Sequence, residues 1–190
     1  MTVATRLIFF ASIVALAGCA ISDAPSSPAP AATVAPVAAG SVQITGLSNF
    51  QQTAFVVTEA CRGTKYETDR RSTAREAIDK ALQRYASEVP GGLTVEVQSL
   101  SLRMRCHRSG LSDLQSYCAA DASLQMAVSG RDRGGDIRVS ATKDATERAQ
   151  QGLLCISTMP AVTAAVDKAL AEALVDLQGG LSGRTGIPAR

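Results

Sequence analysis

Few side chains in this 190-residue chain are suited to covalent or metal chemistry: five cysteines, at 19, 61, 106, 118 and 155, and one histidine, His107. A metal site needs thiolate and imidazole ligands at close spacing, yet there is no Cys-x-x-Cys and no second histidine. A Ser-His-Asp or Cys-His arrangement would have to use His107. That residue directly follows Cys106, so in a strand the two would face opposite ways. No Gly-x-Ser-x-Gly, Walker loop or dinucleotide fingerprint occurs, and Gly130-x-x-x-Gly134-Gly135 reads as a turn. Glu59 and Glu67 could form a carboxylate pair, but nothing singles them out. These residues argue against an enzyme, a metal site and a cofactor.

Cys19 stands apart from the other cysteines. Arg6 is the only charge in the first twenty-two residues, and an apolar run from Leu7 to Ala17 follows it. Eleven residues of helix span about 16 Å, roughly half the hydrocarbon thickness of a bilayer. A positive start, a short apolar core and small residues before a cut describe a secretory signal peptide. The segment ends Leu16-Ala17-Gly18-Cys19, which resembles the lipobox of bacterial lipoproteins. The resemblance implies a signal over 1–18, a diacylglyceryl group on the Cys19 sulfur, and cleavage that leaves Cys19 first. Ala20, where retained lipoproteins of enteric bacteria tend to carry Asp, implies sorting to the periplasmic face of the outer membrane. Two or more acyl chains would anchor the protein stably.

Four cysteines then remain, and an even number in an exported chain reads as disulfides. Four cysteines allow three pairings. Cys106–Cys118 closing a hairpin loop, with Cys61–Cys155 as the second bridge, is the expected set, and sequence leaves the other two open.

Residues 19–40 are Pro-, Ala- and Ser-rich, without the period of a helix or strand, and read as a tether. The domain is expected over 41–180, with a loose tail over 181–190. Thr53 to Ala60 (TAFVVTEA) favours a strand, with Val42 to Thr45 as a strand or an extension before it. RGTKYETDRR reads as a polar loop. Ser72 to Val89 carries an apolar stripe at Ala74, Ala77, Ile78, Ala81, Leu82, Tyr85 and Val89. Thr73-x-x-Glu76 fits a capping box, with Ser72 as a rival cap. Pro90-Gly91-Gly92 should end this helix.

Leu93 to His107 alternates in two blocks whose phase slips between Val97 and Leu100. A β-bulge near Gln98-Ser99 would keep both blocks on one buried face. Ala122 to Val128 and Ile137 to Ala141 alternate as two more strands around an RDRGG turn. Residues 144–155 read as a short helix plus a turn. A last helix should start near Pro160 and stop at Gly179-Gly180.

The order β-α-β-β-β-α gives an α+β two-layer sandwich, disulfide-stabilised: an antiparallel-rich four-stranded sheet with two helices on one face. A lipobox, a tether and this order resemble small bacterial outer-membrane lipoproteins, among them LPS-assembly and envelope-transport auxiliary lipoproteins. That resemblance implies an accessory role with an envelope protein partner.

The net charge is only +2, but the arginines are patterned. Arg103 and Arg105 should share an outward face with Ser101 and His107, and Arg138 should face outward nearby. Arg62, Lys65, Arg70, Arg71 and Arg108 fall near the cysteine-rich edge. The pattern suggests an anion or partner site at Arg103, Arg105 and Arg138, open to lipopolysaccharide, peptidoglycan or an acidic protein. Tyr66 and Tyr117 are expected in loops at the same edge. Nucleic acid is not expected, because no stacking aromatics accompany the arginines.

Overall fold

Alternation of apolar and polar residues builds most of this structure, a computed structural model that describes residues 40–55, 65–107, 117–150 and 158–188. The side chains of residues 54, 55 and 107 lie outside that description. The strands are β1 (Val42–Thr45), β2 (Gln51–Phe55), β3 (Lys65–Asp69), β4 (Leu93–His107), β5 (Tyr117–Asp132) and β6 (Gly135–Gln150). The helices are α1 (Arg71–Glu88) and α2 (Met159–Thr185), and a short 3-10 turn covers Leu47–Phe50.

The main sheet has four strands in the order β1-β4-β5-β6, with β1 parallel to β4 and the other pairs antiparallel. Its inner face is apolar. Val95, Val97, Met104, Leu124, Met126 and Val128 are buried there and pack in one core with Ile78, Leu82 and Tyr85 of α1 and Val166, Leu170 and Leu177 of α2. This is the expected α+β sandwich, mixed rather than wholly antiparallel. The bulge is also where the phase slip places it: pairing with β5 shifts between Val97 and Ser99, which keeps Leu93–Val97 and Leu100–Cys106 on the same face.

Several local expectations need correction. The strand of the main sheet before α1 is Val42–Thr45, and β2 instead pairs antiparallel with β3 in a separate two-stranded sheet. RGTKYETDRR is not all loop, because it contains β3, whose exposed Lys65, Glu67 and Asp69 alternate with buried Tyr66 and Thr68. Tyr66 is therefore a core residue, and the buried Thr158 hydroxyl donates to its oxygen at 2.6 Å. Tyr117 likewise opens β5 instead of lying in a loop. The cap of α1 also differs. Arg70 holds the N-cap position, and the Asp69 carboxylate accepts the Arg71 N–H at 3.2 Å.

Strand β6 continues to Gln150, where the sequence predicts a helix and a turn. Its inner positions beyond Ala141 are Lys143, Ala145, Glu147 and Ala149, which lack strand character. Tertiary contacts decide the outcome: Asp176 holds Lys143 at 2.8 Å, and Lys168 reaches Glu147 at 2.8 Å. Each carboxylate raises the pKa of its lysine above the ordinary value, chiefly through the hydrogen bond.

Helix α2 runs straight through Gly179-Gly180 and ends at Gly186, which adopts φ 74°. Leu181, which the sequence places in the loose tail, is fully buried. A Cβ on Gly180 would overlap Val139 Cγ1 and sit 3.3 Å from its Cγ2, so this glycine brings the helix close to β6 instead of stopping it. Gly179 has nothing within 4 Å of such a Cβ. Gly179→Ala should therefore stabilise the fold by up to about 1 kcal/mol. Gly180→Ala should destabilise it by about 1–2 kcal/mol, because a stiff valine cannot yield. Paired urea titrations read the difference, and equal effects would mean that the close approach at Val139 costs nothing to disturb.

Candidate functional site: the outer face of the sheet

Both helices pack on the inner face, which leaves the outer one polar. Across it run Ser99, Ser101, Arg103 and Arg105 of β4, Ala119, Asp121, Ser123 and Gln125 of β5, and Thr142, Asp144, Thr146 and Arg148 of β6. Three strands of fifteen or sixteen residues make this a long, shallow surface.

Asp121 is its organising residue. Arg105 donates to its carboxylate through Nε at 2.9 Å and Nη2 at 2.6 Å, and the Thr146 hydroxyl donates to the other oxygen at 2.7 Å. Arg103 stands directly opposite Asp121 in the register, and it has no ion-pair partner among the described residues. Arg103, Asp121, Asp144 and Thr146 line a shallow depression of about 300 Å³ with Ser101 and Ser123. Arg148 lies over the Tyr117 ring at 5.5 Å. Ala119, between Arg105 and Arg148 in the register, is only 7% exposed.

The candidate arginines are thus only partly brought together. Arg103 and Arg105 share the depression's neighbourhood, but Arg105 is already charge-matched. Arg138 lies eight positions along β6 from Thr146, about 26 Å away at ~3.3 Å per residue. Of the other basic residues, Arg70 pairs with Asp167 at 2.6 Å and Arg71 with Asp69 at 2.6 Å. The Arg71 guanidinium holds the Asp69 carboxyl below its usual pKa, first through its side-chain hydrogen bond. Arg62, Arg108, Cys19, Cys61 and Cys155 lie outside the described residues, as does the side chain of His107. Beginning β5 at Ala122 hides Asp121 from a reading of the sequence. Tracing the alternation Ser123, Asp121, Ala119 two steps back reaches it.

Cys106 and Cys118 are directly opposite across β4 and β5 and are disulfide-bonded, as expected for the hairpin loop. They mark the arginine-bearing end of the sheet. The chain enters β1 at the other end, where the Leu93 N–H donates to the Ser41 carbonyl and the Gln83 amide donates to the Gly40 carbonyl. Fourteen residue steps of β4 separate these ends, about 45 Å. No cluster of three potential metal ligands occurs among the described residues. No helix among them is long and apolar enough to cross a membrane.

No family model matches the chain. No curated protein sequence matches it either. Among solved structures, it resembles a candidate lipoprotein of Caulobacter crescentus CB15, at 16% identity and a TM-score of 0.37 over 75% of this chain and 95% of that one. It also resembles a minor lipoprotein of Acinetobacter baumannii, at 9% identity and a TM-score of 0.37 over 70% of this chain and 90% of that one. Superposition this loose carries no functional argument.

Proposed function

We propose that this chain is an outer-membrane lipoprotein, anchored through Cys19, whose periplasmic domain is a non-enzymatic binding or scaffolding subunit of an envelope assembly or transport complex. The observation that carries this reading is the long outer sheet face, uncovered by any described element and mixed in charge. A flat face of hydroxyls, amides and both signs of charge suits a protein surface, which can match each group in turn. The lipobox supplies the address.

The second reading is a direct binder of an anionic envelope ligand, lipopolysaccharide or peptidoglycan. It rests on Arg103, which is exposed and has no ion-pair partner among the described residues. The neutralisation of Arg105 by Asp121 and the remoteness of Arg138 favour the protein partner.

The test is cross-linking in intact cells, with the tagged lipoprotein recovered and its adducts identified by mass spectrometry. A discrete membrane-protein adduct is expected, falling several-fold in Arg103→Ser with Arg105→Ser. Recovered lipopolysaccharide or glycan without a protein adduct would sink the first reading in favour of the second. Cys19→Ser should move the protein from the membrane pellet to the soluble fraction, and a variant that stays in the pellet would refute the anchor.

A further inference from the structure

Strand β6 ends the sheet: it pairs with β5 on one side and with no strand on the other among the described residues. The β5–β6 turn is a two-residue hairpin closed by Asp132 and Gly135. A two-residue hairpin is closed by a hydrogen-bonded pair, and hydrogen-bonded pairs then alternate along the ladder. The odd-numbered residues of β6 therefore bond to β5. The even-numbered residues from Asp136 to Arg148 direct their N–H and C=O groups to the open edge. These are also the residues whose side chains stand on the outer face. Such a row is a template for another strand.

We propose that the partner strand is β6 of a second copy, joined antiparallel about a two-fold axis at Ala141 into one continuous sheet. The charges select both the occupant and the register. An isologous contact must be self-complementary. With the axis at Ala141, Arg138 lies opposite Asp144 of the second copy, and by symmetry the pair forms twice. Asp136 then falls opposite Thr146, diagonal to both Arg148 and Asp144, and Ser140 falls opposite Thr142. No like charges stand directly opposite each other. A shift of the axis by one residue is less favourable in either direction. Centred on Ser140, Asp136 would face Asp144, a like-charge pair. Centred on Thr142, Asp136 would face Arg148, but both are already engaged, by Arg131 and by the Tyr117 ring, and Arg138 would face only Thr146.

Neither Arg138 nor Asp144 has an ion-pair partner among the described residues, so both are available for this contact. The inward charges of β6, Lys143 and Glu147, would ordinarily discourage pairing at an edge. Here α2 already engages both, through Asp176 and Lys168. Val175, the only strongly exposed large apolar side chain among the described residues at 63%, stands beside Asp176 on the helix flanking this edge.

The experiment is sedimentation equilibrium of the full lipidated protein in detergent, for the native chain and three variants. The native chain should be a dimer. Arg138→Asp and Asp144→Arg should each weaken it by about tenfold or more by placing like charges across the axis, and the double variant should recover the native affinity. A native monomer at every concentration would overturn the proposal. So would a dimer indifferent to both single reversals, because a shared micelle or another surface would then hold it. Arg138 and Asp144 are exposed, so circular dichroism should show all variants folded.

Discussion

Gly46→Ala will destabilise the fold by about 2–4 kcal/mol, more than most single substitutions. Two costs combine. Gly46 has φ 73°, where a side chain is strained. A Cβ there would also overlap the Val97 carbonyl oxygen and sit 3.1 Å from its carbon. These are backbone atoms and cannot swing aside. The same carbonyl accepts a hydrogen bond from the Asn49 amide at 2.8 Å, and Val97 borders the bulge of β4. The turn after β1 is thus seated against the irregularity that keeps β4 in phase. Gly91→Ala is the control, since nothing lies within 4 Å of its Cβ position. If urea titration gives the two variants the same midpoint, the turn does not lean on the bulge.

The second large effect is the loss of the Cys106–Cys118 bridge. The bonded residues are twelve apart in sequence, and closing a loop of that size in the unfolded chain is worth about 3 kcal/mol. Both cysteines are on the buried face, at 5% and 0% exposure, so alanine is a better replacement than serine. Cys106→Ala with Cys118→Ala should lower stability by about that amount while leaving the circular dichroism of the sheet unchanged. Substitution is preferable to reductant, because it acts on this bridge alone. A double variant as stable as the native chain would show that the ladder alone holds this end of the sheet.

The parts of the fold legible in the sequence are those where side-chain period and burial agree. The stripe from Ala74 to Val89 is a helix because that face is covered, and the slip between Val97 and Leu100 is a bulge because both halves must be buried. Local pattern misleads where distant contacts override local preference. Residues 144–155 read as a short helix and a turn, whereas β6 continues to Gln150 because α2 supplies counter-charges to Lys143 and Glu147. Gly179-Gly180 looks like a stop until Val139 is seen beneath it. Tyr66 and Thr68 are too short a buried series to announce a strand without β2 beside it. The candidate site divides the same way. The outward phase of Arg103 and Arg105 follows from alternation alone, whereas the neutralisation of Arg105 depends on Asp121, sixteen residues away in sequence.

The chain reaches β1 at the end of the sheet opposite the Cys106–Cys118 bridge. From that point of entry the sheet runs about 45 Å to its far tip. Arg103, Arg105 and Arg148 are therefore carried at the tip farthest from where the chain enters. A partner gripping that tip while the chain is held before β1 would load the domain in tension along the strands. Strands pulled along their length shear all their cross-strand hydrogen bonds together instead of opening them one at a time. The load would pass first through the four-residue pairing of β1 with β4, and from there into the long β4–β5–β6 ladder.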